Sequence, residues 1–168
     1  MGNLFFSPSG RIGPGAYMKG MLILGVIGAV INLLPLVSIG LAMIVSVLSL
    51  VLIIPFIFMS IKRAHDSGKS GWFSIVAIII GIVISLILGM VVAAIGLGAA
   101  VDQEAVNAAA EAGDLGAVMD AAGGAARAAA IPSAITNLIG AVATAFVFNM
   151  INKQDMGDNQ YGPVPPAA

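Results

Sequence analysis

The chain has 168 residues, of which 60% are hydrophobic and only 9% charged, with no cysteine and a formal net charge of −1. A soluble domain carries about 25% charged residues, so at a mean hydropathy of +1.07 both a soluble globular domain and a disordered chain are excluded. The missing thiols exclude disulfides, Fe–S clusters and thiolate metal sites, the single histidine argues against zinc, and the near-zero charge gives no footprint for nucleic acid.

A small polytopic membrane protein is left. The opening Met1 to Ser7 does not read as a cleaved signal, because the first apolar run is too long and no basic region precedes it. Phe6 breaks the myristoylation pattern. No charged residue occurs between Met21 and Ile61. Roughly 20 helical residues cross a 30 Å hydrocarbon core, so this stretch predicts two spans. The break is placed between Asn32 and Gly40, where Pro35, Ser38 and Gly40 suit a turn. The first span is expected at about 17–35 and the second at about 40–62.

The third apolar run, 72–100, is longer than the core requires. It must tilt, kink at Gly81 or Gly89, or project from the membrane. The segment 101–130 is alanine-rich and holds Asp102, Glu104, Glu111, Asp114 and Asp120 against Arg127. Alanine favours helix and the glycines interrupt it, so one or two short helices on the outer surface are expected. An acidic docking or cation-attracting cap is one reading of the segment. A solvated connector is the reading the charge pattern favours, and no calcium-loop spacing is present among the acids. The fourth span is expected at about 131–151, with Pro132 in its first turn. Asn137, Thr144 and Asn149 are expected to face other helices rather than lipid.

Four spans return both termini to one side. Arg11, Lys19, Lys62, Arg63, Lys69 and Lys153 fall on that side, and Arg127 on the other. The basic bias predicts cytoplasmic termini, a cytoplasmic 62–71 loop and a cytoplasmic tail at 152–168. The expected fold is therefore all-α. It is a bundle of four transmembrane helices in a single domain, with a short Ala-rich helical extramembrane segment between the third and fourth.

The distinctive sequence sits in three short pieces at the side of the termini. The first is Gly10-Arg11-Ile12 with Tyr17. The second is Arg63-Ala64-His65-Asp66-Ser67-Gly68-Lys69-Ser70-Gly71-Trp72. The third is Gly157-Asp158-Asn159-Gln160-Tyr161-Gly162, followed by Pro165. In order and in spacing from the spans, these pieces resemble the DUF805 family of small bacterial inner-membrane proteins. The resemblance covers nearly the whole chain and departs from the family in a longer 101–130 segment and in Pro14 and Gly15. It implies a multi-pass inner-membrane protein and names no reaction.

Most motif residues have structural readings. Gly68 suits the left-handed position that ends a helix. Ser70 suits an N-cap, and Trp72 suits the headgroup level. The stretch from Gly10 to Gly15 reads as an irregular lead-in to the first span, and Gly162 to Pro166 as an extended tail, polyproline-like at its end. His65 and Asp66 are adjacent and point about 100° apart on a helix. Asp66 is expected to pair with Arg63 or with Arg11. A cluster of Arg11, Arg63, Asp66, Asn159 and Tyr161 would then staple both tails onto the 62–71 loop. His65 could transfer protons or contact phosphate; we favour a loop-locking hydrogen bond to backbone. Ser67 and Ser70 lack the elbow and oxyanion hole of a nucleophile.

Three functions follow. Ionisable residues are absent from the middles of the spans, where ion-coupled carriers place them, so a structural or accessory subunit of a membrane complex comes first. A small oligomeric transporter or channel is the alternative, with a polar stripe from Asn137, Thr144 and Asn149 as its mark. A lipid-active enzyme using His65 and Asp66 is third. No catalytic residue, cofactor or metal is assigned. The expected partners are the lipid bilayer and a protein partner or second copy within the membrane, and no nucleic acid.

Overall fold

A computed structural model of the chain describes residues 2–97 and 103–166. The described residues form helices α1 (Gly2–Phe5), α2 (Pro14–Leu33), α3 (Ile39–Asp66), α4 (Ser74–Ala94), α5 (Gln103–Glu111) and α6 (Leu115–Ile151). No strand occurs among them; one isolated bridge joins Asn159 to Gly162. Four helices, α2, α3, α4 and α6, are long and apolar enough to cross a membrane.

The helix ends follow from local chemistry. Pro14 stands in the first turn of α2, where its missing N–H costs nothing. Pro35 lies in a 3₁₀ turn, Leu34–Leu36, that reverses the chain into α3. At the end of α3, Gly68 takes φ +70°. There Lys69 N donates to Ala64 O and Gly68 N to His65 O, both at 3.1 Å, a paired closure that ends the helix.

The same device shortens the third span. Gly96 takes φ +73°, with Leu97 N on Val92 O at 3.0 Å and Gly96 N on Ala93 O at 3.1 Å. The helix therefore ends at Ala94, short of the expected 100. The last expected residues of that span, 98–100, lie outside the described residues, as do residues 101–102 of the Ala-rich segment and 167–168 of the tail.

The fourth helix starts much earlier than the expected 131. Gly113 (φ +69°) closes α5, and the Asp114 side chain then accepts from Ala117 N at 3.0 Å to cap α6. The alanines carry α6 through Gly123 and Gly124. Pro132 lies inside the helix, where it removes one backbone hydrogen bond without ending it. The 37 residues of α6 span about 55 Å, against a hydrocarbon core of about 30 Å.

Helices α2 and α6 pack along their length because α2 presents glycine. A Cβ at Gly25 would stand 2.9 Å from Ala141 Cβ, and one at Gly28 would stand 2.8 Å from Asn137 Oδ1. Helix α4 rests on α6 where Gly81 faces Thr144. Along α4 only Ser74 and Ala77 are buried. The core is not central. The largest fully buried side chains are Arg63, Tyr17, Phe148, Met59, Asn152, Asp66 and Ser60, all near the end of the bundle that carries both termini.

Candidate functional site

That end is a network of charge and backbone built around Asp66. One carboxylate oxygen accepts from Arg11 Nη2 at 3.1 Å and Nε at 3.2 Å. The other accepts from Arg63 Nη1 at 2.9 Å, three residues earlier on α3. The Asp66 side chain is fully buried and the two guanidinium groups nearly so. A buried carboxylate persists only when paired and hydrogen-bonded. Two planar guanidinium forks supply that pairing.

Each arginine then reaches further. Arg11 Nη1 donates to Gly157 O at 2.8 Å and Gly162 O at 3.0 Å, and Nη2 to Asp155 O at 2.8 Å. Those carbonyls belong to the C-terminal tail, so one side chain clips the tail to α3. Asp155 N completes the clip by donating to Asp66 O at 2.8 Å. Arg63 turns the other way. Its Nε donates to Asn149 Oδ1 at 2.6 Å and its Nη2 to Asn152 O, tying α3 to the end of α6. Asn149 Nδ2 in turn donates to Pro14 O at 3.1 Å, bringing in the start of α2.

His65 faces away from Asp66. Its Nδ1 lies 3.1 Å from Gly10 O. A carbonyl only accepts, so Nδ1 carries the proton and donates. Its ring stacks on Tyr161, with centroids 3.8 Å apart and planes 4° apart. Asn159 Nδ2 donates to His65 O at 3.0 Å, and Asn159 Oδ1 accepts from Tyr161 N at 3.0 Å. Gly10 and Gly162 take φ +86° and +128°, conformations that favour glycine. Gly71 is needed for space: a Cβ there would stand 3.1 Å from Ile61 Cγ2.

Gly10, Arg11, Arg63, His65, Asp66, Gly68, Gly71, Asn159, Tyr161 and Gly162 thus meet in one assembly. Ser70 and Trp72 stand apart from it. Ser70 precedes a short 3₁₀ turn, Gly71–Phe73, without a side-chain cap bond. Trp72 is 81% exposed.

Several contributors escape a reading by motif. Lys69 donates to Asn152 Oδ1 at 3.1 Å and Ile151 O at 3.3 Å, neutralising the carbonyl end of α6. It also lies 4.0 Å over the Phe73 ring. Ser67 Oγ donates to Ala64 O and reaches Asn152 Oδ1 at 3.1 Å. Ser60 Oγ donates to Phe56 O at 2.8 Å, so the buried Tyr17 hydroxyl donates to Ser60 at 3.1 Å. Asn149 and Asn152 stand three apart at the end of α6. That spacing puts them on one helical face, but nothing in it names Arg63 as their partner.

Chemically the assembly is a clasp. Both Asp66 oxygens are taken by cations, and the arginine donors are taken by Asp66, asparagine and tail carbonyls. Among the described residues no fully enclosed side-chain nitrogen or oxygen lacks a partner. Comparison with curated proteins and with solved structures finds no match. A family model described as "Protein of unknown function (DUF805)" matches residues 5–163, a range that contains all three clasp segments. By that match, over nearly its whole length, the chain belongs to the DUF805 family.

Proposed function

We propose that this protein is a structural or accessory subunit of a larger complex in the bacterial inner membrane, with both termini in the cytoplasm. The observation that carries this reading is the saturation of the clasp. A catalytic carboxylate or imidazole needs a face open to substrate. Here Asp66 is enclosed by two arginines, while His65 is engaged at Nδ1 by Gly10 and on its ring by Tyr161. Groups so held serve to fix three chain segments together. In this arrangement α5 and the first turns of α6 stand outside the membrane, since α6 exceeds the hydrocarbon thickness. Arg127 supports that level: its Nε donates to Pro35 O at 3.3 Å, on the α2–α3 turn.

The test is gentle extraction from native membranes, then intact-complex mass and identification of co-purifying chains. A stoichiometric foreign subunit is the expected result. A monomer or homo-oligomer alone would sink the reading.

A small oligomeric transporter is the second reading. In its favour, Asn137 and Thr144 line one cleft between the helices. Against it, Asn149 is withdrawn from any polar stripe by Arg63 and Pro14. A lipid-active enzyme at the headgroup plane has the least support, because it needs the carboxylate of Asp66, which both arginines hold.

A further inference from the structure

Away from the clasp, α2, α3, α4 and α6 line a cleft of about 860 Å³. That size lies within the range of small-molecule sites, about 300–1,000 Å³. Its lining is mixed. Toward the clasp end it is mainly apolar, with Met21, Leu24, Phe56 and Ile78, and Thr144 stands among them. Farther up it carries Ser85, Asn137, Ser133 and Asn32 between apolar residues such as Leu52 and Val92. At 1.5 Å per residue these four polar side chains stand about 16–27 Å from the terminus-side ends of their helices. The polar groups therefore run from mid-membrane to the far interface.

Two features point to an occupant. First, the polar side chains of Thr144, Asn137, Ser133 and Ser85 all line the cleft, and among the described residues no fully enclosed side-chain oxygen or nitrogen is left without a partner, so their free polar atoms open onto it. At that depth the surrounding hydrocarbon offers such groups no hydrogen-bond partner. Second, Ile53, Ile82 and Leu86 line the cleft and are also exposed on the outer surface of the bundle. The mouth thus opens sideways between α3 and α4, into lipid.

We propose that this cleft binds an uncharged acyl lipid of the diacylglycerol type, entering between α3 and α4. Among the described residues no charged one lines the cleft, and a charged headgroup carried to that depth would be unpaired. Phe56 is the one aromatic side chain among the described lining residues, so a flexible chain fits better than a ring system that needs stacking. The hydroxyl and ester carbonyls of such a lipid match the Ser, Thr and Asn groups of the lining. The apolar floor receives its acyl chains. This inference stands apart from the accessory-subunit reading and survives its failure.

The experiment uses the full chain in phosphatidylcholine nanodiscs containing a photoactivatable diacylglycerol. Expected are crosslinks on the α4 and α6 peptides that carry Ser85 and Asn137, competed by unlabelled dioleoylglycerol. The double variant Ser85→Leu/Asn137→Leu should lose crosslinking about tenfold, as two hydrogen bonds are removed. Ser85→Leu alone, at an exposed position, replaces it where the double variant fails to fold. Equal competition by phosphatidylglycerol would overturn the proposal. So would crosslinks spread evenly over the outer faces of α3 and α4, or an intermolecular crosslink showing a second copy in the cleft.

Discussion

The Arg11 guanidinium meets the Asp66 carboxylate at 3.1 Å across 55 residues of sequence, with the two side chains 1% and 0% exposed. Because the same carboxylate also holds Arg63, removing it strands two buried cations. Breaking a buried pair from one side costs about 3–5 kcal/mol. Asp66→Ala is therefore expected to lower thermal stability by that order and to free the tail. Limited trypsin digestion at Lys153 in detergent reads the second effect. Unchanged cleavage would show that Arg11 holds the tail without Asp66. Charge screening reaches buried pairs weakly, so protection of Lys153 in the parent protein should persist at roughly 1 M salt.

The stack of His65 on Tyr161 joins the tail to α3 by a second route. Aromatic pairs contribute about 0.5–1.5 kcal/mol beyond their buried area. Tyr161→Ala should speed hydrogen exchange at Gly157–Gly162 by up to about tenfold. Tyr161→Phe keeps the ring and should stay within about 0.5 kcal/mol of the parent. His65→Ala should exceed Tyr161→Ala, because it also removes the bond to Gly10 O, worth about 1 kcal/mol. Equal exchange in Tyr161→Ala and the parent would leave the stack without energetic weight.

Much of this architecture is legible in the amino-acid sequence. Charge-free length alone marks the membrane-crossing helices, because hydrocarbon forbids unpaired charge. Asp66 announces its need for Arg11 or Arg63 by the same rule. The helix ends are harder to read. Gly96 and Gly68 end helices through left-handed backbone, yet Gly123 and Gly124 pass through α6 unbroken. Local sequence does not separate the two cases, since tertiary support decides whether a glycine continues or stops a helix. Pro132 misleads for the same reason. The roles of Asn149 and Lys69 depend on where α6 ends relative to α3, which no spacing within either helix records.

Small residues in the spans suggest close contacts at Gly89/Ala93 and Gly140/Thr144, but the tightest approach is at α2. A methyl at Gly25 would stand 2.9 Å from Ala141 Cβ, whereas one at Gly89 meets nothing within 4 Å. Overpacking of this kind costs about 1–3 kcal/mol. Gly25→Ala should destabilise the bundle by that order. Gly89→Ala should be neutral, or gain up to about 1 kcal/mol from helix propensity. Thermal unfolding of the two variants side by side checks this. Equal midpoints would mean that α2 and α6 can separate freely.

Orientation is also open to direct test, and the absence of cysteine makes the test clean. Met156 in the tail and Val37 in the α2–α3 turn are 84% and 79% exposed, at opposite ends of the bundle. In intact cells a membrane-impermeant maleimide should label Val37→Cys. It should label Met156→Cys only after permeabilisation. The basic bias that predicts this includes Arg63 and Lys62, which are 1% and 3% exposed in the folded chain. Burial does not weaken their vote. Orientation is fixed by positive charge flanking the spans as they insert, before Arg63 has met Asn149 or Lys62 has met Leu4 O. On the proposed orientation, the same cations that later lock the clasp would first hold that end of the chain on the cytoplasmic side. Labelling of Met156→Cys in intact cells would reverse the orientation and detach the clasp from the positive-inside argument.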